Sequence, residues 1–70
     1  MNWNKYRQDV ISLAMFQNEI SKMELSEHLD ISYPTMLTKL KDVGTFKLSE
    51  FDKVCTYLNL DIKELLIDNR

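Results

Sequence analysis

Seventy residues carrying nine Lys and Arg against eleven Asp and Glu, a net charge of −2, make room for one small domain spanning residues 1–70. One Gly, one Cys and one His exclude a glycine-rich phosphate cradle, a four-ligand zinc site and an internal disulfide, so neither cofactor nor metal is expected. No apolar run approaches the ~20 residues that cross a bilayer, and no basic start leads into one, which points to a reducing cytoplasm rather than a membrane or secreted setting.

With one Pro, one Gly and no sustained period-2 alternation, the chain reads as all-α. Trp3, Tyr6, Val10, Leu13 and Ala14 recur at three- and four-residue steps and predict a first helix over about 3–16. After the polar Gln17-Asn18-Glu19 link, three later starts pair an oxygen-bearing cap with a carboxylate three residues on: Ser21 with Glu24, Ser49 with Asp52 and Asp61 with Glu64. They place helices over about 22–29, 50–58 and 62–67. A third helix begins around Ser32-Tyr33-Pro34, with Ser32 or Tyr33 as its cap, and Gly44 sits where a left-handed residue would stop it. Leu25, Leu29, Ile31, Met36, Leu40, Phe51, Val54, Cys55, Leu58, Leu60, Ile62, Leu65 and Leu66 are the expected core. So small a core leaves association with a second copy or another protein open as a source of stability.

The second and third helices, joined by Leu29-Asp30-Ile31-Ser32, have the spacing of a helix-turn-helix over about 21–41. Asp30 occupies the turn position that needs a left-handed backbone, which Asp tolerates. The stretch from Ser21 to Leu40 resembles the helix-turn-helix of the Cro and repressor family. Thr45-Phe46-Lys47-Leu48-Ser49-Glu50-Phe51 and the segment from Leu58 to Leu66 resemble that family's fourth and fifth helices. The resemblance covers roughly residues 5–67. It implies a five-helix, lambda-repressor-like domain whose third helix enters the DNA major groove, in a bacterial or phage transcription regulator.

The third helix is unusual for a base reader. From Glu19 through Leu58 there is no Arg, Asn or Gln, the side chains that best read guanine and adenine. Residues 21–41 carry Lys22, Lys39 and Lys41 against Glu24, Glu27 and Asp30, a sum of zero where a polyanion needs positive charge. With Met36 and Leu40 directed inward, helical geometry turns Tyr33, Leu37 and Lys41 outward in one row beside Pro34, a patch suited to burial against a protein. Leu37 half-buried against the fourth helix, with Tyr33 over the turn, is the plainer alternative.

In this respect the chain resembles the small modulator-of-repression, or anti-repressor, proteins of lactococcal-type temperate phages. That resemblance implies a hetero-complex with a repressor carrying its own helix-turn-helix, inside a bacterial host cell, with no small-molecule substrate. Tyr33, Pro34, Leu37, Thr38 and Lys41, with Lys22, Met23, Glu24 and Glu27 on the preceding helix, are the expected contact residues. The acids, Asp30 among them, would face basic groups that a repressor offers to phosphate. The alternative is direct operator binding, as a dimer or jointly with the repressor, through Lys22, Thr35, Thr38, Lys39, Lys41 and Lys47.

The remaining singular residues point away from catalysis. His28 is expected at the surface among acids, and Cys55 on a buried stripe with no activating base. Trp3 and Tyr6 are expected to pack the first helix, while Met15, Met23 and Met36 fill gaps, with Met23 also placed for an interface. No enzymatic activity is expected.

Overall fold

The computed structural model describes residues 3–66 and is all-helical over them: α1 (Trp3–Gln17), α2 (Lys22–Leu29), α3 (Tyr33–Lys41), a 3-10 turn (Val43–Thr45), α4 (Leu48–Tyr57) and α5 (Ile62–Leu66). The expected last residue of the fifth helix, Ile67, lies outside the described residues. Leu25, Met36, Val54, Cys55 and Leu58 are almost wholly buried at the centre, ringed by Leu29, Leu40, Phe51 and Leu65. At about 25 cal/mol per Å² of apolar surface, this shared core holds together helices too short to persist alone. Among the described residues no helix is long and apolar enough to cross a membrane.

One module joins the helices three times among the described residues. Glu19, Asp30 and Asn59 each adopt a left-handed backbone, at φ 56°, 57° and 60°. Each donates its N–H to the carbonyl three residues back, and the next residue donates to the carbonyl five back. This is the Schellman arrangement, which satisfies carbonyls that a helix end leaves open. The next residue is apolar each time, Ile20, Ile31 and Leu60, and packs against the core. A polar cap then starts the following helix. Glu24 N–H reaches Ser21 Oγ at 3.0 Å while the Glu24 carboxylate accepts Ser21 N–H at 3.4 Å. Thr35 N–H reaches Ser32 Oγ at 3.3 Å, and Lys63 N–H reaches Asp61 Oδ1 at 3.0 Å. Asp61 thus caps α5 through Lys63.

The α3–α4 joint departs from both expectations placed on it. Gly44 is not left-handed; α3 closes at Asp42, and Gly44 lies inside the 3-10 turn. Its use is close approach: a Cβ there would sit 3.3 Å from the side chain of Asn4, which donates to Asp42 Oδ1 at 3.2 Å. Nor do Ser49 and Asp52 open α4. The helix begins two residues earlier than expected, at Leu48, and the Glu50 carboxylate accepts Lys47 N–H at 2.9 Å. The start follows Glu50 because that carboxylate is already anchored to α3.

Helix α1 is also rotated relative to the expected stripe. Ile11, Ala14 and Met15 are buried, Val10 packs at the core's edge, and Tyr6 and Leu13 are exposed. Arg7, one turn before Ile11, lies on the inward side as well, and its Nε donates to the Leu65 carbonyl at 2.6 Å. Trp3 and Tyr6 form an edge-to-face pair at 5.5 Å, with the Arg7 guanidinium 5.8 Å from the Trp3 ring. Leu66, expected in the core, is 46 % exposed.

Candidate functional site

Helices α2 and α3, set by the Asp30-Ile31-Ser32 joint, present the outer face of the helix-turn-helix. From α2 come Lys22, Met23, Glu24 and Glu27, all exposed, with Met23 half-uncovered. From α3 come Tyr33, Pro34, Thr35, Thr38 and Lys41, also exposed. Leu37 is half-buried rather than projecting, although it is not among the side chains packed on the core. Lys47 is exposed immediately before α4, beyond the helix-turn-helix itself.

Lys39 has a different situation from its neighbours. Its ammonium lies 3.0 Å from the Glu50 carboxylate and donates to the Thr45 carbonyl at 3.1 Å, with the Phe46 ring 5.8 Å away. The pair is mostly shielded, at 16 % and 17 % side-chain exposure. The Lys47 N–H and the Lys39 ammonium together hold the Glu50 carboxyl below the usual carboxylate range, against the opposing effect of burial. Two of the three ammonium protons are thus taken up within the fold, and the shielding leaves little of Lys39 to an outside anion. With Lys39 so engaged, the exposed charges of residues 21–41 are Lys22 and Lys41 against Glu24, Glu27 and Asp30, two cations facing three anions.

The hydroxyls of α3 are engaged locally as well. Thr38 Oγ1 donates to the Pro34 carbonyl at 3.1 Å, and Ser32 Oγ donates to Thr35 Oγ1 at 2.8 Å. A phosphate oxygen can only accept, so Thr38 as it stands has no proton to offer it, whereas it remains an acceptor for a Lys or Arg donor. The α2–α3 face is therefore mixed: exposed apolar side chains (Tyr33, Pro34 and Met23) share it with three exposed acids and two exposed lysines.

Sequence reasoning missed the extension of this face onto α4. The His28 ring stacks on Tyr57 at 4.0 Å with the planes 15° apart, and the two line a shallow depression with Glu24 and Glu27. They lie on different helices 29 positions apart, and no local pattern links them. Cys55 is buried in the core; burial, with smaller effects from Asp52 and Asp61, pushes its thiol up to about 11, the opposite of an activated nucleophile.

The chain matches no curated protein and no solved structure. Residues 11–70, which include the whole α2–α3 unit, match the family model of the Cro/C1-type HTH DNA-binding domain. With that match over most of its length and the five helices in the order described, the chain belongs to the Cro/C1-type helix-turn-helix DNA-binding domain family, a family of transcription regulators.

Proposed function

We propose that the chain regulates transcription by protein contact. Its α2–α3 face docks on the DNA-reading helix-turn-helix of a partner repressor and relieves repression, as an anti-repressor in a phage genetic switch. The observation that carries this reading is the engagement of Lys39 by Glu50, which leaves the face with more exposed acid than base. A surface that lies along DNA needs the reverse balance, because neutralising phosphates supplies most of the affinity. A repressor's DNA-binding face is basic, and Glu24, Glu27 and Asp30 complement it, while Tyr33, Pro34 and Met23 supply apolar contact at the centre. Thr38, as an acceptor, suits the same partner.

The test is a repressor bound to labelled operator DNA, titrated with this chain. Release of the DNA at near-stoichiometric ratios is expected, and Tyr33→Asp should weaken it at least tenfold with helicity unchanged. Tight, sequence-specific binding of operator by the chain alone, falling steeply with salt, would defeat this reading.

That outcome belongs to the second reading, direct operator binding, which the family match favours. In it Tyr33, Thr35 and Lys41 face the groove while Lys22 and Lys47 meet phosphates at either side. A complex of DNA, repressor and this chain together would bind only when both proteins are present.

A further inference from the structure

Four side chains line the shallow depression between α2 and α4. Glu24, Glu27 and His28 come from one face of α2, at spacings of three and four, and all three are exposed. Tyr57 of α4 supplies the remaining wall. The imidazole lies flat on the phenol ring, 4.0 Å away and 15° from parallel, so Tyr57 covers one face of His28 and the other is turned away from α4. Among the described residues the His28 ring nitrogens have no hydrogen-bond partner, and the Glu27 carboxylate has neither a hydrogen bond nor an ion pair. Glu24 uses one oxygen on the Ser21 N–H, at 3.4 Å, and keeps the other. Lys53, exposed one turn before Tyr57, pairs with neither acid.

We propose that this depression is a binding site for an arginine side chain of a protein partner. A guanidinium is flat, so it can lie on the outer imidazole face and continue the His28–Tyr57 stack, where the ring electrons attract its charge. Its edge carries N–H donors in a fixed fork, and the carboxylates of Glu27 and Glu24 border the same depression as acceptors. A lysine ammonium is attracted by the same acids but has no plane to stack and no fork to match. A phosphate is repelled by both carboxylates, which rules out nucleic acid as the occupant.

That the arginine belongs to a repressor rests on the anti-repressor reading. A DNA-reading surface is where such side chains are concentrated, since arginine is the commonest reader of guanine and a frequent phosphate contact. The site extends that reading from a general balance of charge to one side-chain type, and it reaches beyond the helix-turn-helix onto α4. Its affinity for a guanidinium is a property of these four side chains and can be measured without the partner.

The probe is N-acetyl-arginine amide, titrated into the full chain at about pH 8, where histidine is ordinarily uncharged, and followed by amide and ring-proton NMR shifts. Surface contacts of this kind are individually weak, so saturation with a dissociation constant on the order of 10 mM is expected. The shifts should centre on Glu24, Glu27, His28 and Tyr57. N-acetyl-lysine amide, of the same charge, should bind at least threefold more weakly. His28→Ala and Glu27→Gln should each weaken arginine binding at least threefold with the far-ultraviolet helical signal unchanged, whereas His28→Phe, which keeps a ring over Tyr57, should retain it. No saturable shift at these residues by about 100 mM overturns the proposal, as does equal binding of the two derivatives or binding that survives His28→Ala. The repressor–operator titration separates this proposal from the reading it extends. His28→Ala should raise the concentration of chain that releases operator at least fivefold, and release unaffected by both His28→Ala and Glu27→Gln overturns the proposal while leaving the anti-repressor reading intact. A chain that takes the arginine probe as expected yet releases no operator supports the site and defeats the anti-repressor reading alone.

Discussion

The Lys39 ammonium sits 3.0 Å from the Glu50 carboxylate, and the same carboxylate oxygen accepts the N–H of Lys47 that opens α4. One side chain thus starts a helix and ties it to its neighbour across the α3–α4 joint, where the Schellman module of the other joints is missing. It also commits two of the three Lys39 ammonium protons inside the fold. Stability and recognition meet at this pair.

Lys39→Met keeps the length of the side chain and leaves Glu50 shielded without its cation. A loss of about 1–3 kcal/mol is expected, read as a lower midpoint in urea with unchanged slope. Because Lys39 faces Glu50 rather than a partner, the variant should bind repressor or operator within about twofold of wild type, once corrected for its folded fraction. Lys41→Met, at an exposed position, should show the converse: little change in stability and weaker binding.

The same pair sets an acid limb. Glu50 has its folded-state ionisation below its ordinary value, so as pH falls the unfolded chain takes up the proton first and unfolding is favoured. The contribution is complete above the unfolded value near pH 4.5 and is lost as pH drops through the lower folded one. Urea midpoints between pH 7 and pH 3 should fall less steeply in Glu50→Gln than in wild type, although the variant starts from a lower plateau.

Cys55 predicts an alkaline limb of the opposite sense. Its buried thiol is pushed up to about 11 from 9.0, so the unfolded chain releases the proton first and stability declines as pH rises through that interval. The loss is about 3 kcal/mol when complete. Cys55→Ala should be less stable at neutral pH through the small cavity, yet decline less between pH 9 and 11. A thiol reagent at neutral pH should modify the wild-type protein only as fast as the core opens.

Glu19, Asp30 and Asn59 share one backbone conformation but not one tolerance for it. Asn and Asp adopt the left-handed region with local hydrogen-bonding help, whereas Glu has no such help. Glu19→Gly should raise stability by about 0.5–1 kcal/mol, more than Asp30→Gly or Asn59→Gly. Thermal midpoints of the three single variants give the order directly.

These joints also show how far the sequence could be read. Asp30 is legible because it separates two amphipathic segments at a known spacing, and Ser21 and Ser32 are legible because capping is a local interaction. Leu25, Met36 and Val54 follow from helical period alone. The failures are those of long range. Nothing near Glu50 in the chain announces Lys39 eleven positions earlier, so the local pattern of Ser49 and Asp52 puts the start of α4 two residues late and does not show that Lys39 is tied to Glu50. Helix α1 has apolar residues on more than one side, and its Arg7 contact to Leu65 spans 58 positions. The His28–Tyr57 stack is invisible for the same reason.

The triplets Glu19-Ile20-Ser21, Asp30-Ile31-Ser32 and Asn59-Leu60-Asp61 contain no glycine, and each is tethered by backbone bonds on one side, a partly buried apolar plug in the middle and a cap on the other. Joints of this kind have little slack. The angle between α2 and α3 is therefore preorganised before any partner arrives, and docking need not freeze a floppy hinge. For so small a protein with so modest a contact face, that saving in ordering entropy lets a handful of side chains suffice for recognition. It also implies that loosening the joint, for example by Ile31→Gly, would weaken recognition even though Ile31 is not among the residues expected to touch the partner.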